Sequence, residues 1–148
     1  MPLWLWFVDS LLGMVALVIV LLALIVVRRR AIGRRTGAFE LTVNRREQGA
    51  AGWTLGTGVY HDDHLEWFRT FSLSWRASFV LPRRGVEVTG RRAPSRAEAD
   101  LLAPGSIVVD CVGPQEHYLR LALTPPALTG LLAWLESSPP GRGMKTVL

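Results

Sequence analysis

The residues with the richest chemistry are His61, Asp62, Asp63 and His64, since two imidazoles and two carboxylates are a donor set for a divalent ion. Four consecutive side chains in one turn cannot all aim at one point, and no distant third ligand is signalled. A hairpin turn in which the aspartates bond to the local backbone explains the cluster without an ion. Gly56 and Gly58 form a G-x-G, but they lie inside an extended segment with no helix after it. The geometry that cradles a phosphate is absent, and close backbone packing or a bulge is the better reading. No serine sits in a G-x-S-x-G elbow or a local Ser/His/Asp pattern. The single cysteine, Cys111, excludes an internal disulfide and a Cys-pair zinc site, and it fits a reducing compartment. The expectation is therefore no enzyme, with no catalytic, cofactor or metal residue.

Charge points in another direction. The 148-residue chain carries a net charge of +5, which would ordinarily suggest nucleic acid. Its distribution says otherwise. Arg28, Arg29, Arg30, Arg34, Arg35, Arg45 and Arg46 stand against one acid, Glu40, whereas from Glu47 onward ten basic residues balance ten acidic ones. All the excess lies beside an apolar segment, the pattern of a membrane-flanking signal rather than of a groove for a phosphate backbone, so no nucleic-acid partner is expected.

That segment is an unbroken run of seventeen apolar or small residues, 11–27, extended by residues 3–7 with only Asp9 and Ser10 interrupting. At about 1.5 Å per residue the stretch spans the hydrocarbon core, roughly 30 Å thick. Trp4 and Trp6 are placed as an interfacial anchor. A cleaved signal peptide needs a basic start, a short apolar core and a small-residue cleavage site, none of which is present. Residues 1–27 are read as an uncleaved signal anchor in the plasma (inner) membrane. The positive-inside rule puts the uncharged N-terminus outside and the rest in the cytoplasm. Residues 28–37 read as a short, flexible basic linker reaching at most about 35 Å. Its arginines can attract anionic lipid.

Residues 38–137 alternate as half-buried strands before the period changes. Phe39, Leu41 and Val43 share a face of the first strand, and 44–52 is a turn. The second strand is 53–60, and the third, 65–71, has Leu65, Trp67 and Phe71 inward. A fourth falls within 75–82, a tight hairpin loop at 83–85 leads to a fifth at 86–92, and one helical turn lies around 97–102. Strands at 106–112 and 117–123 complete seven. Thr124 then caps a helix begun by Pro125, with Leu128, Leu131, Leu132 and Leu135 on one face. Gly130 costs that helix about 1 kcal/mol relative to alanine, which close approach to the sheet would justify. Trp134 is expected to plug the open corner. Seven antiparallel strands in two sheets capped by a C-terminal helix is a mostly-β, pleckstrin-homology-like arrangement; a small β-barrel or an α+β meander fits the same element count. Residues 138–148 read as a flexible tail.

Two surfaces stand out. Alternation turns Glu66 and Phe68 outward, a candidate protein interface, unless a second apolar layer or the linker covers Phe68. Pleckstrin-homology folds often hold a lipid headgroup at the first hairpin, with basic residues from the first and second strands. Arg45 and Arg46 meet half of that requirement, but 53–60 has no basic residue, so generic attraction to an anionic leaflet is the safer expectation.

The combination of Gly52-Trp53, Leu55-Gly56, Tyr60, Leu65-Glu66-Trp67-Phe68-Arg69, Phe71-Ser72-Leu73, Arg91-Arg92-x-Pro94 and the helix 128–136 followed by Pro139-Pro140-Gly141 carries a resemblance. The chain resembles actinobacterial single-pass membrane proteins of unknown function, often encoded beside ATP synthase genes. The resemblance implies an N-terminal anchor and brings no catalytic residue. The resulting expectation is a membrane-tethered cytoplasmic module that docks a neighbouring membrane protein. The alternative is sensing of anionic lipid headgroups by the basic linker and first hairpin.

Overall fold

A computed structural model describes residues 2–46 and 49–137; the expected tail lies outside the described residues. A long helix, α1 (Leu3–Gly33), precedes eight strands: β1 (Ala38–Glu40), β2 (Thr42–Asn44), β3 (Gly56–Tyr60), β4 (His64–Arg69), β5 (Phe79–Pro82), β6 (Glu87–Arg92), β7 (Ile107–Val112) and β8 (Tyr118–Leu123). A one-turn helix, α2 (Arg96–Ala99), separates β6 from β7, and α3 (Pro125–Glu136) follows β8. The strands form two antiparallel sheets of four, in the orders β1-β3-β4-β5 and β2-β8-β7-β6. The expected first strand is thus divided at Leu41, its first half pairing with β3 and its second with β8. A lone bridge between Val43 and Thr54 spans the corner.

Glycine makes that corner possible. A Cβ on Gly56 would lie 2.4 Å from the Trp67 ring, and one on Gly58 would lie 2.8 Å from the Phe39 ring, so both aromatics pack closely on bare backbone, in line with the packing reading of the G-x-G. Trp67 then donates its indole N–H to the Leu41 carbonyl at 2.8 Å, filling an acceptor at the residue where the chain changes sheets. Between the sheets, Leu41, Val43, Leu65, Trp67, Leu81, Val109, Leu119 and Leu121 form the core. Leu128 and Leu131 of α3 close one end of it, with Leu132 and Leu135 packed at the margin as the helical spacing predicted. Gly130 departs from expectation: a Cβ there would meet nothing nearer than the Tyr60 hydroxyl at 3.8 Å, an ordinary contact.

Three local expectations are corrected. Phe71 lies beyond the end of β4 and is 77% exposed, because the sheet that would cover it has ended. The fourth strand shrinks to Phe79–Pro82. Residues 83–86 make no hairpin, since β5 and β6 are edge strands of different sheets and the segment crosses from one to the other.

α1 is long and apolar enough to cross a membrane. It also continues past the apolar run through Gly33, so most of the expected flexible linker is helical. A tight turn follows, in which the Ala38 amide donates to the Arg35 carbonyl. Gly37 supplies the left-handed φ of 78° that this turn requires.

Candidate functional site

The last two turns of α1 lie on the outer face of the first sheet. Ile32 is buried with Val59 of β3 and Phe68 of β4, the residues whose Cβ atoms alternation sends away from the core. One turn earlier, Arg28 is 2% exposed; its Nε donates to the Ser74 carbonyl at 2.5 Å and Nη1 to the Arg69 carbonyl at 2.8 Å. One turn later, the Arg35 guanidinium stands 5.0 Å from the centre of the Phe68 ring. Phe68 is therefore 2% exposed, and the reading of it as an outward docking residue is overturned: the chain's own helix covers it. Arg28, expected among lipids, instead faces the protein.

The turn between β3 and β4 gathers three donors. His61 Nε2 lies 3.2 Å and His64 Nε2 3.6 Å from the Glu66 carboxylate, and the two imidazole rings stack at 4.6 Å. Arg35 reaches the same carboxylate at 4.0 Å. Asp63 holds His64 Nδ1 at 2.5 Å, which orients Nε2 toward Glu66 and draws the His64 pKa up while its own falls. Ligand atoms of His61, His64 and Glu66 all lie within 4.8 Å of one another, a two-histidine, one-carboxylate set able to hold a divalent ion, with Asp63 behind it. Asp62 does not join. The third donor was findable: Glu66 is two residues beyond His64, on the same strand face.

The first hairpin is bound inward. Arg120 of β8 donates to the Arg46 carbonyl at 3.0 Å, to the Gly49 carbonyl at 2.8 Å and to Glu98 at 3.2 Å. Arg92 closes on the same carboxylate through two bonds, at 2.6 and 2.9 Å. Glu98 also completes a capping box with Ser95, and the Arg92 guanidinium foremost holds its pKa down to about 2. Single residues spread over four elements build this network, so no local motif announced it. Arg45 stacks on Phe79, 4.9 Å from the ring centre. Of the arginines expected at lipid, Arg35 and Arg45 thus have aromatic partners but are exposed, as are Arg29, Arg30, Arg34 and Arg46, and Trp4 and Trp6.

Beside Arg45 an apolar groove of about 530 Å³ runs between β5 and the segment Gly113–Leu119, lined by Phe79, Leu81, Pro82, Tyr118 and Leu119. Among the described residues β5 is an edge strand, paired with β4 alone. At the rim, Gln115 and Glu116 hold positive φ angles of 66° and 57°, uncommon for side chains with a Cβ.

Residues 15–141 match the sequence profile of a family described as a protein of unknown function, DUF2550. The chain belongs to the DUF2550 family. It is similar to an uncharacterized protein of Mycobacterium tuberculosis strain H37Rv, 34% identical over 140 residues, or 91% of this chain and 95% of the relative. An uncharacterized protein of Mycobacterium leprae is 33% identical over 97 residues, covering 64% of this chain and 66% of the relative. DUF2550 thus has actinobacterial members, and nothing in these relatives indicates catalysis.

Proposed function

We propose that the chain is a membrane-anchored, non-enzymatic docking module whose groove beside β5 takes an extended segment of a neighbouring membrane protein. The carrying observation is the groove itself: an apolar trough next to an edge strand whose outer side has no partner strand among the described residues. Such an edge binds peptides by adding a strand, with side-chain pockets supplying selectivity. Arg45 and His117 line it, which favours a segment with acidic flanks. The fold reading is pleckstrin-homology-like, supported by a first strand shared between two sheets and a C-terminal helix closing the core.

In this reading α1 spans the inner membrane with its N-terminus outside, and the burial of Arg28 and Ile32 holds the groove at a fixed height in the cytoplasm. Gene neighbourhood in the resembling family makes energy-coupling membrane proteins the first partners to test. A photo-crosslinking residue at Val80 or Tyr118 of the full chain, in native membranes, should trap one discrete membrane protein, and the same probe at Arg91 on β6 should not. Equal labelling from all three positions, or none, would overturn the groove as the docking site.

Attraction to an anionic leaflet is a second reading, favoured by the exposure of Arg29, Arg30 and Arg34. The headgroup clamp at Arg45 and Arg46 has less support: both are exposed, but Arg45 is stacked on Phe79 and residues 53–60 hold no basic residue to complete it.

A further inference from the structure

The segment between β4 and β5 reads Arg69-Thr70-Phe71-Ser72-Leu73-Ser74-Trp75-Arg76. Phe71, Leu73 and Trp75 recur at every second residue and are 77%, 48% and 55% exposed. Three large apolar side chains in one eight-residue loop gain nothing from water. The loop's position relative to α1 explains them. Arg28 is the first residue after the apolar run, about 1.5 Å along the axis from Val27, and its guanidinium grips the carbonyls of Arg69 and Ser74. Arg29, on the next step of the helix, lines a small cavity together with Phe71 and Leu55, which is itself exposed. The loop is thus fastened where the hydrophobic stretch ends.

We infer that this loop is a second membrane contact: Phe71, Leu73 and Trp75 enter the interfacial zone of the leaflet from which α1 emerges. The inference rests on α1 spanning a bilayer, and it names the surface that the domain turns toward that bilayer. Continuity with the apolar helix selects lipid as the occupant. Aromatic and aliphatic residues flanked by Arg69 and Arg76 match the boundary where acyl chains meet headgroups. The loop's own hydroxyls also serve its backbone there: Ser72 Oγ accepts from the Ser74 amide at 3.2 Å and Ser74 Oγ from the Arg76 amide at 3.3 Å, which lessens the cost of leaving water. The domain is then held at two points, by the helix and by the loop, and Arg28 ties the two together.

The test uses the full chain in vesicles of phosphatidylcholine and phosphatidylglycerol. Cys111 is buried, so a single introduced cysteine can be labelled with an environment-sensitive fluorophore. Labels at Leu73→Cys, Val18→Cys and Arg91→Cys are compared using lipid-borne and water-soluble quenchers. The expected result is a blue-shifted Leu73→Cys label quenched by a shallow lipid nitroxide, a Val18→Cys label quenched by a deep one, and an Arg91→Cys label quenched only from water. Adding Arg28→Ala should move the loop label toward the aqueous pattern. A loop label quenched only from water, beside a deep label at position 18, overturns the inference and leaves the anchor standing. A loop label shielded from both quenchers assigns the patch to a protein and also overturns it. If the label at position 18 is reached only from water, the membrane reading falls and the loop contact with it.

Discussion

Both sheets have an outer face that a helix must cover, and the two coverings are built from different chemistry. On the first sheet, the end of α1 lays Ile32 on Val59 and Phe68 and sends Arg28 to main-chain carbonyls. On the second, α2 brings Glu98 between Arg92 and Arg120. The first cover is apolar, with a charged donor serving neutral acceptors, so a partner helix from outside the domain can supply it. The second also buries Leu102 on Val108 and Ala122 beside Trp53, but it adds an ionic set in which removing Glu98 leaves the buried Arg120 without a counter-charge. The domain is therefore coupled on one side and self-contained on the other: the α1 face joins it to the long apolar helix, whereas the α2 face holds the segment around Arg46 and Gly49.

The largest expected effect comes from breaking the ionic cover. Glu98→Ala leaves Arg120 buried without its counter-charge and should cost about 3–5 kcal/mol of stability, measured by denaturant unfolding. Acid should do the same gradually. Because the Glu98 pKa in the fold lies near 2, below its ordinary 4.5, its contribution is complete above about pH 4.5 and is lost as pH falls toward 2. Glu98→Gln should flatten that part of the stability profile. Next in size is the apolar cover: Phe68→Ala should cost about 3 kcal/mol, from lost burial and the cavity left under Ile32. It should loosen α1 from the sheet without disturbing Arg120 and Glu98. A loss of protection around α2 in hydrogen exchange of that variant would show that the two covers are not independent.

Smaller effects sharpen the same comparison. His64 has its pKa raised first by Asp63, so its contribution to the β3–β4 turn is complete below about pH 6.5 and fades as pH rises through the raised value. His64→Gln should remove that dependence from a thermal-melting series, with little change at high pH. Gly130→Ala, on the exposed side of α3, should stabilise the domain by about 1 kcal/mol or less, since the added methyl meets only the Tyr60 hydroxyl at ordinary contact distance.

How much of this was legible follows the same division. Period-two alternation placed Leu65 and Trp67 inward, and helical spacing placed Leu128 and Leu131 in the core, because each pattern is set by residues close in sequence. The G-x-G was legible as close packing for the same local reason. What escaped depends on partners far apart in the chain. Arg28 and Ile32 are four residues apart on one helix face, but two apolar-facing positions among arginines look like a tether until Phe68 supplies the surface. Phe68 in turn looks exposed until that helix covers it. The Arg92–Glu98–Arg120 network has no spacing signature, and the crossing of 83–86 between sheets imitates a hairpin because a turn sequence does not say which strands it joins. For the candidate site, both histidines stand out in the turn but their third donor does not, since Glu66 lies on the strand beyond it.

α1 and the domain form one body, joined by a continuous helix rather than a flexible tether. Hydrogen exchange of the full chain in lipid nanodiscs, read at the amides of residues 29–33, tests it most directly. The expected result is protection comparable to that of β4, with selective loss in Phe68→Ala. Exchange of those amides at the rate of an unstructured chain, in a protein whose β4 remains protected, would contradict it.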